Sequence, residues 1–517
     1  MGINNKIRKL TIFLAILLII CFIKTDITKA EVLNTKYNMN IEFNDKQKTL
    51  IGKENIHIEN FTNVNLKKLV FHLYVDSYNK KETMPSSSNN SDIPLLNEEK
   101  GDILIQRINV SNKSVNFNQE NQLLTVTLGK ELKENESLNI SIEFSLKLPK
   151  GVSRLGYSND IYSFTNWYPI LAMFNSEKME WDENQFNPVG ESNYSDVSKY
   201  NINIKVPNNF VVVSTGEKKE ISENSTDKII NLSAKDVRDF AIIMSPYFKE
   251  LSQDIDGIQV NSYYIDKDNI STKESAKTVL ENSVKAVKFF NKEIGKYPYK
   301  NLDIVETYCE NIAMEYPQLI QLGKYPTSNG STSAENLSIM LETAVHEVAH
   351  QWWYVTVGND EFNESFLDES LSTFSTAYYF EKTKGKYAKE GILRSLRYKY
   401  TRMYDLGFSN FNIPAFASNV KEFENEYVYN MAMYRMGALL FEDLREKVGD
   451  TEFSDVIQTY FRTYKLKNAS IKGFLNIVEE KCGKDTRRYM ENCIYLKNYN
   501  PEHLRITSEE LKKINNE

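Results

Sequence analysis

The 517-residue sequence predicts an α+β multidomain protein: an antiparallel β domain in the first half, a mainly helical second half and a short helical C-terminus. Three observations predict it. Apolar and polar residues alternate at period two from about residue 35 to 250, the period becomes helical at residue 271, and helical signals dominate beyond about residue 320. The composition is 41% hydrophobic, 26% charged and 12% aromatic, which excludes a disordered, collagenous or multi-span membrane chain. At roughly 150 residues per domain, the length allows about three domains.

In chain order, the first element is a leader. Lys6, Arg8 and Lys9 precede a 14-residue apolar run, Leu10 to Ile23, and Thr28-Lys29-Ala30 forms a small-x-small site, so residues 1–30 read as a signal peptide. The run is shorter than the roughly 20 residues that span a bilayer. Cleavage after Ala30 is therefore expected, with an uncleaved membrane anchor as the alternative. Either way the body is secreted or held on the extracellular surface, and Ile20 before Cys21 argues against lipoprotein processing. The formal net charge is -7; Lys6, Arg8, Lys9, Lys24 and Lys29 against Asp26 give the leader +4, leaving -11 on the remainder. An acidic body of this kind argues against a nucleic-acid partner.

Strands follow. Tyr37, Met39, Ile41 and Phe43 alternate, as do Leu69, Phe71, Leu73 and Val75, then Leu138 through Leu148, then Tyr200, Ile202, Ile204 and Val206 before Pro207. Residues 83–97 have the Ser, Asn and Pro content of an exposed loop. Ser271 and Thr272 open a helix with Glu274 in its first turn, and Gly295 with Pro298 closes it. Short strands around Leu302 and Ile304 give way to helices near 335–355 and 364–382, then to further helices up to about 500. The domain reading is 31–250 for the β domain, 251–446 for the central domain, 447–500 for a short helical segment and 501–517 for a polar tail. With Cys21 in the leader, only Cys309, Cys482 and Cys493 remain, which is no disulfide framework; Cys482 and Cys493 either bridge locally or stay free.

Residues 346–350 read HEVAH. On a helix the i, i+4 spacing stacks His346 and His350 about 6 Å apart on one face, so both imidazoles reach one ion, and zinc is the usual occupant. A third ligand is needed, and Glu369, after 18 intervening residues, lies on the next helix, where an antiparallel partner would bring it alongside. Glu347 points away from the ligand direction but can act as general base toward a zinc-activated water. The alternative is a chance pentapeptide on a solvated helix. Only five histidines occur in the chain, however, and two fall here among the apolar residues Val345, Val348 and Ala349.

These residues resemble a known family, the gluzincin zinc aminopeptidases of the aminopeptidase N and leukotriene hydrolase type. HEVAHQWW followed by FNESFLDES is similar to their HExxHxW signature with its second-helix glutamate. NIAMEYP at 311–317 is similar to their exopeptidase motif, GxMEN, on an edge strand before the zinc helix. That likeness implies that Glu315, with Ala313 and Met314 beside it, binds the substrate and that Glu315 holds its free α-amino group. Ile312 stands where the family has Gly, and Tyr316 where it has Asn. YRMGALLFEDLREKVG at 434–449 resembles the YEKGA helix, which makes Tyr434 the oxyanion donor, with Tyr427 and Tyr429 as neighbouring alternatives. Glu364 either hydrogen-bonds a zinc histidine or serves as a helix-dipole partner. Weaker likenesses, FHLYVDSY at 71–78, NWYPILA at 166–172, RDFAIIMS at 238–245 and GKYPYKNLDIVE at 295–306, extend the resemblance from about residue 35 to 500.

The resemblance implies a thermolysin-like catalytic domain over 251–446 and one Zn2+ per chain. It implies a zinc aminopeptidase acting on peptides with a free N-terminus, in a short form without the family's large C-terminal helical domain. Rivals are a catalytically impaired surface binding protein on the same fold, a zinc endopeptidase, and hydrolysis of a non-peptide substrate such as a lipid epoxide.

Overall fold

A computed structural model describes residues 33–85, 96–151, 154–268, 270–308, 313–327, 333–385, 396–398, 401, 412–497, 506, 507, 509 and 512. The leader at 1–30, Cys309, Ile312, most of the 83–97 loop and most of the 501–517 tail lie outside the described residues.

The β domain is built on an eight-stranded sheet whose order is 217–223, 227–237, 198–207, 33–44, 49–60, 137–147, 102–110 and 113–114. All its pairs are antiparallel except Leu33–Asn44 with Ser198–Pro207, which run parallel, so the domain is not purely antiparallel. Strand alternation does what it predicts here: Tyr37, Met39, Ile41, Phe43, Ile140, Ile142, Phe144, Ile202 and Ile204 are all buried in one core. Two four-stranded sheets and a two-stranded one, 174–175 with 180–181, complete the domain. One expectation changes. Leu69 and Phe71 lie in the strand Leu66–His72, but Tyr74–Asn79 is a 3-10 turn, so Leu73 and Val75 do not extend the strand. Val70, Phe71, Leu73, Tyr74 and Val75 are all buried. With both sides covered, the alternation there carries no information about a face.

The central domain opens on a further sheet, order 248–255, 258–267, 301–306, 319–322, 314–316. Strands 258–267, 301–306 and 319–322 are parallel, and the helix Lys273–Glu293 makes the first crossover. That helix buries Ala276, Val279, Leu280, Val287 and Phe290, the helical spacing of a single core-facing stripe. Met314–Tyr316 is the edge strand, antiparallel to Leu319–Leu322. The helices Ala438–Val448, Asp450–Tyr464, Ile471–Cys482 and Lys484–Tyr495 follow. They share the central core: Trp353 stacks on Tyr460 at 5.9 Å and Phe441 meets Phe474 edge-on at 5.6 Å. Cys482 and Cys493 are not joined in a disulfide.

Polar contacts lock the two halves together. Buried Arg238, from the β domain, donates to Ser195 O at 2.7 Å and to Lys467 O at 2.6 Å, and Tyr299 Oη donates to Asp236 O at 2.7 Å. Among the described residues no helix is long and apolar enough to cross a membrane.

Candidate metal centre

The helix Ser333–His350 is held by Ala344, Val345, Val348 and Ala349, each fully buried, which fixes its rotation. His346 and His350 then project together, with ring centroids 4.6 Å and Nε2 atoms 3.0 Å apart. The chain turns through residues 351–360, and the Asp360 side chain caps a short helix, Glu361–Glu364, by accepting from Asn363 N at 3.1 Å. A 3-10 turn, Ser365–Leu367, then delivers Glu369 as the first residue of the helix Glu369–Lys384. Glu369 Oε2 lies 3.3 Å from His350 Nε2 and 3.5 Å from His346 Nε2.

These donors fit zinc. Ligand atoms about 2.0–2.2 Å from a tetrahedral zinc stand roughly 3.4 Å from one another. The three separations here are 3.0, 3.3 and 3.5 Å, and the donor set is two imidazole nitrogens and one buried carboxylate oxygen. Burial alone would raise the Glu369 carboxyl, but the hydrogen bonds and charges of His346 and His350 outweigh it and hold it below the usual carboxylate range.

Tyr434 comes from Met431–Gly437, a π-helical stretch between the helices 426–430 and 438–448. Such wide turns occur as short insertions and often mark functional sites. The hydroxyl of Tyr434 donates to Glu369 Oε1, and its ring lies 5.7 Å from His346. Tyr429 is buried behind it at 6.2 Å, and Tyr427 is 46% exposed, so of the three tyrosines the fold brings Tyr434 to the metal ligands. Gly437 makes this possible: a Cβ there would stand 2.0 Å from Ser370 Oγ and 2.7 Å from Ser370 Cβ. Ser370 follows Glu369 directly and donates to Met433 O at 2.6 Å, so the π turn and the Glu369 helix touch at backbone distance.

Glu347 is 5% exposed, and its Oε2 has no hydrogen-bond partner. Burial, then the neighbouring Glu315 carboxylate, push it well above the usual carboxylate range, with His350 opposing. Glu315 sits on the edge strand, buried, with Oε1 3.6 Å from His350 Nδ1 and without a hydrogen bond. Met314 is buried beside it, and Ala313, half-buried, precedes the strand. The fold therefore gathers His346, His350, Glu369, Glu347, Tyr434 and Glu315 around one point.

Glu364 does not join them. Its carboxylate accepts from Ile471 N at 3.2 Å, at the start of another helix, and burial pushes it up to about 7. The reading of Glu364 as a partner of a zinc histidine is thus corrected. Because the chain from 365 to 367 coils as a 3-10 turn, Glu364 is not on the face of the Glu369 helix. His350 Nδ1 faces Trp353 O at 3.2 Å instead.

Three further acidic residues were not foreseen. Glu191, in a loop of the β domain, is clamped by Arg154 and pushed up to about 8 by burial, with Arg154 lowering it and Glu315 raising it. Buried Glu361 accepts from Asn193 N at 2.9 Å and donates its own N–H to Asn193 O at 3.3 Å, tying that loop to the central domain. Asp368, with Glu315 and His350, forms a second buried group of ligand atoms within 4.8 Å of one another. No periodic pattern marks the Glu191 loop; its one local signal is Gly190, at φ 70°, where a Cβ would meet the Tyr429 ring at 2.8 Å.

This geometry defines a candidate two-histidine, one-glutamate metal centre with the buried carboxylate of Glu347 beside it. Residues 278–493 match the peptidase family M1 domain, a span that includes His346, His350, Glu369 and Tyr434. The chain is 24% identical to a probable aminopeptidase 2 of Sulfurisphaera tokodaii over 32% of this chain and 21% of that protein. It is 21% identical to aminopeptidase N of Streptomyces lividans over 56% of this chain and 34% of that protein. It is 20% identical to aminopeptidase M1 of Arabidopsis thaliana over 76% and 46%. The matches thus cover between a fifth and a half of these relatives' own length. The fold is similar to an M1 zinc metallopeptidase from Deinococcus radiodurans, with a TM-score of 0.65 and 14% identity over 92% of this chain and 97% of that one. A mutant of that protein bound to a Tyr-Ser-Ala substrate aligns with a TM-score of 0.63 and 15% identity over 91% and 96%.

Proposed function

We propose that the protein is a zinc aminopeptidase that removes residues from the free N-terminus of peptides. The observation that carries this reading is Glu315: a buried carboxylate with an unpartnered oxygen, 3.6 Å from a metal-ligand histidine, on a sheet edge. A carboxylate so placed pairs with the substrate ammonium and fixes the first residue against the reacting centre. An endopeptidase has no use for it. Bound zinc supplies a Lewis acid and makes a water acidic enough to lose its proton near neutral pH. Glu347, with Oε2 free, takes a proton and later gives it to the leaving amine. Tyr434 turns its hydroxyl from Glu369 to the carbonyl oxygen as negative charge develops there. The relatives named as aminopeptidases and the neighbour with a bound Tyr-Ser-Ala support a peptide substrate.

We further infer from the leader pattern that the protein acts outside the cytoplasmic membrane, secreted or retained at the surface by an uncleaved leader. N-terminal sequencing of the protein recovered from medium and from membranes tests this; recovery from the cytosol with Met1 in place would refute it.

The activity test compares one short peptide with its N-terminus free and acetylated, using the zinc-loaded protein and its Glu347→Gln variant. Release of the first residue from the free peptide alone is expected, falling by about 10²–10⁴-fold in Glu347→Gln. Cleavage of both peptides at an internal bond would replace this reading with an endopeptidase, and inactivity on both with zinc bound would favour a binding protein.

A further inference from the structure

Gln351 follows the ligand His350 directly, yet it belongs to neither the metal site nor the base. It is fully buried, and both ends of its amide are engaged. Nε2 donates to Tyr316 O at 3.1 Å, while Oε1 accepts from Gln318 N at 3.0 Å and from Tyr297 Oη at 3.3 Å. A backbone carbonyl can only accept and a backbone N–H can only donate, so one orientation of the amide satisfies both contacts and the group cannot flip. It grips the chain on either side of Pro317.

The gripped segment is the one that carries Glu315. The edge strand Met314–Tyr316 is three residues long and pairs only with Leu319–Leu322 among the described strands. The two are joined by Pro317 and Gln318, the latter at φ 62°. Pairing on one side over three residues restrains such a strand weakly against sliding toward or away from the motif helix. Gln351 supplies the missing tie, from the end of that helix to the residue after Glu315.

We propose that Gln351 is a positioning residue for exopeptidase action: its amide sets the separation between the amine-binding Glu315 and the metal ligand His350. This rests on the aminopeptidase reading. An exopeptidase must place the substrate ammonium one residue from the carbonyl that reacts, so the distance between anchor and metal is itself a catalytic parameter, and a displacement of about 1 Å costs on the order of 10²-fold.

The test uses the full zinc-loaded chain, with Gln351→Met, Gln351→Glu, Glu315→Ala and the Gln351→Met/Glu315→Ala pair. Methionine keeps the volume and loses every hydrogen bond; glutamate keeps the acceptor for Gln318 N and loses the donor to Tyr316 O. On a free tripeptide, Gln351→Met should lower kcat/KM by about 100-fold and Gln351→Glu by about 10-fold, with one zinc retained per chain. Once Glu315 is alanine, adding Gln351→Met should cost less than about 3-fold, because the effect passes through Glu315. Equal losses in both backgrounds, or loss of zinc as the cause, would overturn the proposal. A crystal structure of Gln351→Met gives a readout independent of turnover: the separation of Glu315 Oε1 and His350 Nδ1 should exceed 3.6 Å, and an unmoved edge strand overturns the proposal. If Gln351→Met does not fold, the Gln351→Glu variant carries the same comparisons. An inactive parent protein would refute the aminopeptidase reading, while the crystallographic separation still decides what Gln351 positions.

Discussion

Replacing Gly437 by alanine should impair catalysis through a contact that no catalytic residue makes. Gly437 has an ordinary helical φ of -65°, so backbone strain is not the issue; space is. An added Cβ would lie 2.0 Å from Ser370 Oγ and 2.7 Å from Ser370 Cβ, both far inside the roughly 3.4 Å of ordinary contact between such atoms. Relief requires the π turn and the Glu369 helix to part by about 1 Å, and Tyr434 and Glu369, three and one residues from the clash, part with them. A displacement of that size in an oriented site costs about 10²-fold, or about 2.7 kcal/mol in the barrier, beside a stability loss of about 1–3 kcal/mol from overpacking. Steady-state kinetics on a free N-terminal peptide, with zinc content and thermal unfolding measured on the same sample, read both effects. The second substitution Ser370→Gly removes both close atoms and leaves Phe366 Cδ2 at 3.3 Å as the nearest remaining neighbour, so it should restore at least half of the lost activation free energy. A Gly437→Ala variant within about 3-fold of the parent in kcat, or one not rescued by Ser370→Gly, would refute the reasoning.

Other expectations follow from the same geometry. Tyr434→Phe should lower kcat by about 10²–10³-fold with KM little changed, the signature of a donor to a developing oxyanion; an equal loss from Tyr427→Phe would point to unfolding or misassignment. Glu306 is buried and pushed up to about 7 by that burial, against hydrogen bonds from Thr272 and from the backbone N–H groups of Ile265 and Tyr325. Its folded-state value lies above the unfolded one, so the stability it contributes is complete below about pH 4 and is lost as pH rises through about 7, about 3 kcal/mol in all. Glu306→Gln should flatten the decline in unfolding free energy between about pH 4 and 7, and parallel curves for the two proteins would exclude this residue as its source.

Much of the site was legible before any fold was known. HEVAH places two imidazoles by helix periodicity alone, and the spacing to Glu369 needs only a second helix alongside. The strands of the β domain were legible where one face meets water, and failed at Leu73 and Val75, where both sides are buried and alternation has no contrast to report. Glu364 failed for a related reason: a helix was read across residues 365–367, and a 3-10 turn there changes which residues share a face.

The sequence by itself supplied the candidate ligand set, because ligand type and helical spacing are local properties, while the acidic motif at 311–317 entered through a family resemblance. Tertiary structure decided everything that depends on distance between segments remote in the chain. It chose Tyr434 over Tyr427 and Tyr429 by a π turn seated against Ser370, and it brought Glu191 toward Glu315 from a β-domain loop. It also set Gln351 across the chain at Tyr316 and Gln318. Each of these is a contact between surfaces that pack only once the core has closed, and no periodicity in one segment encodes the position of another.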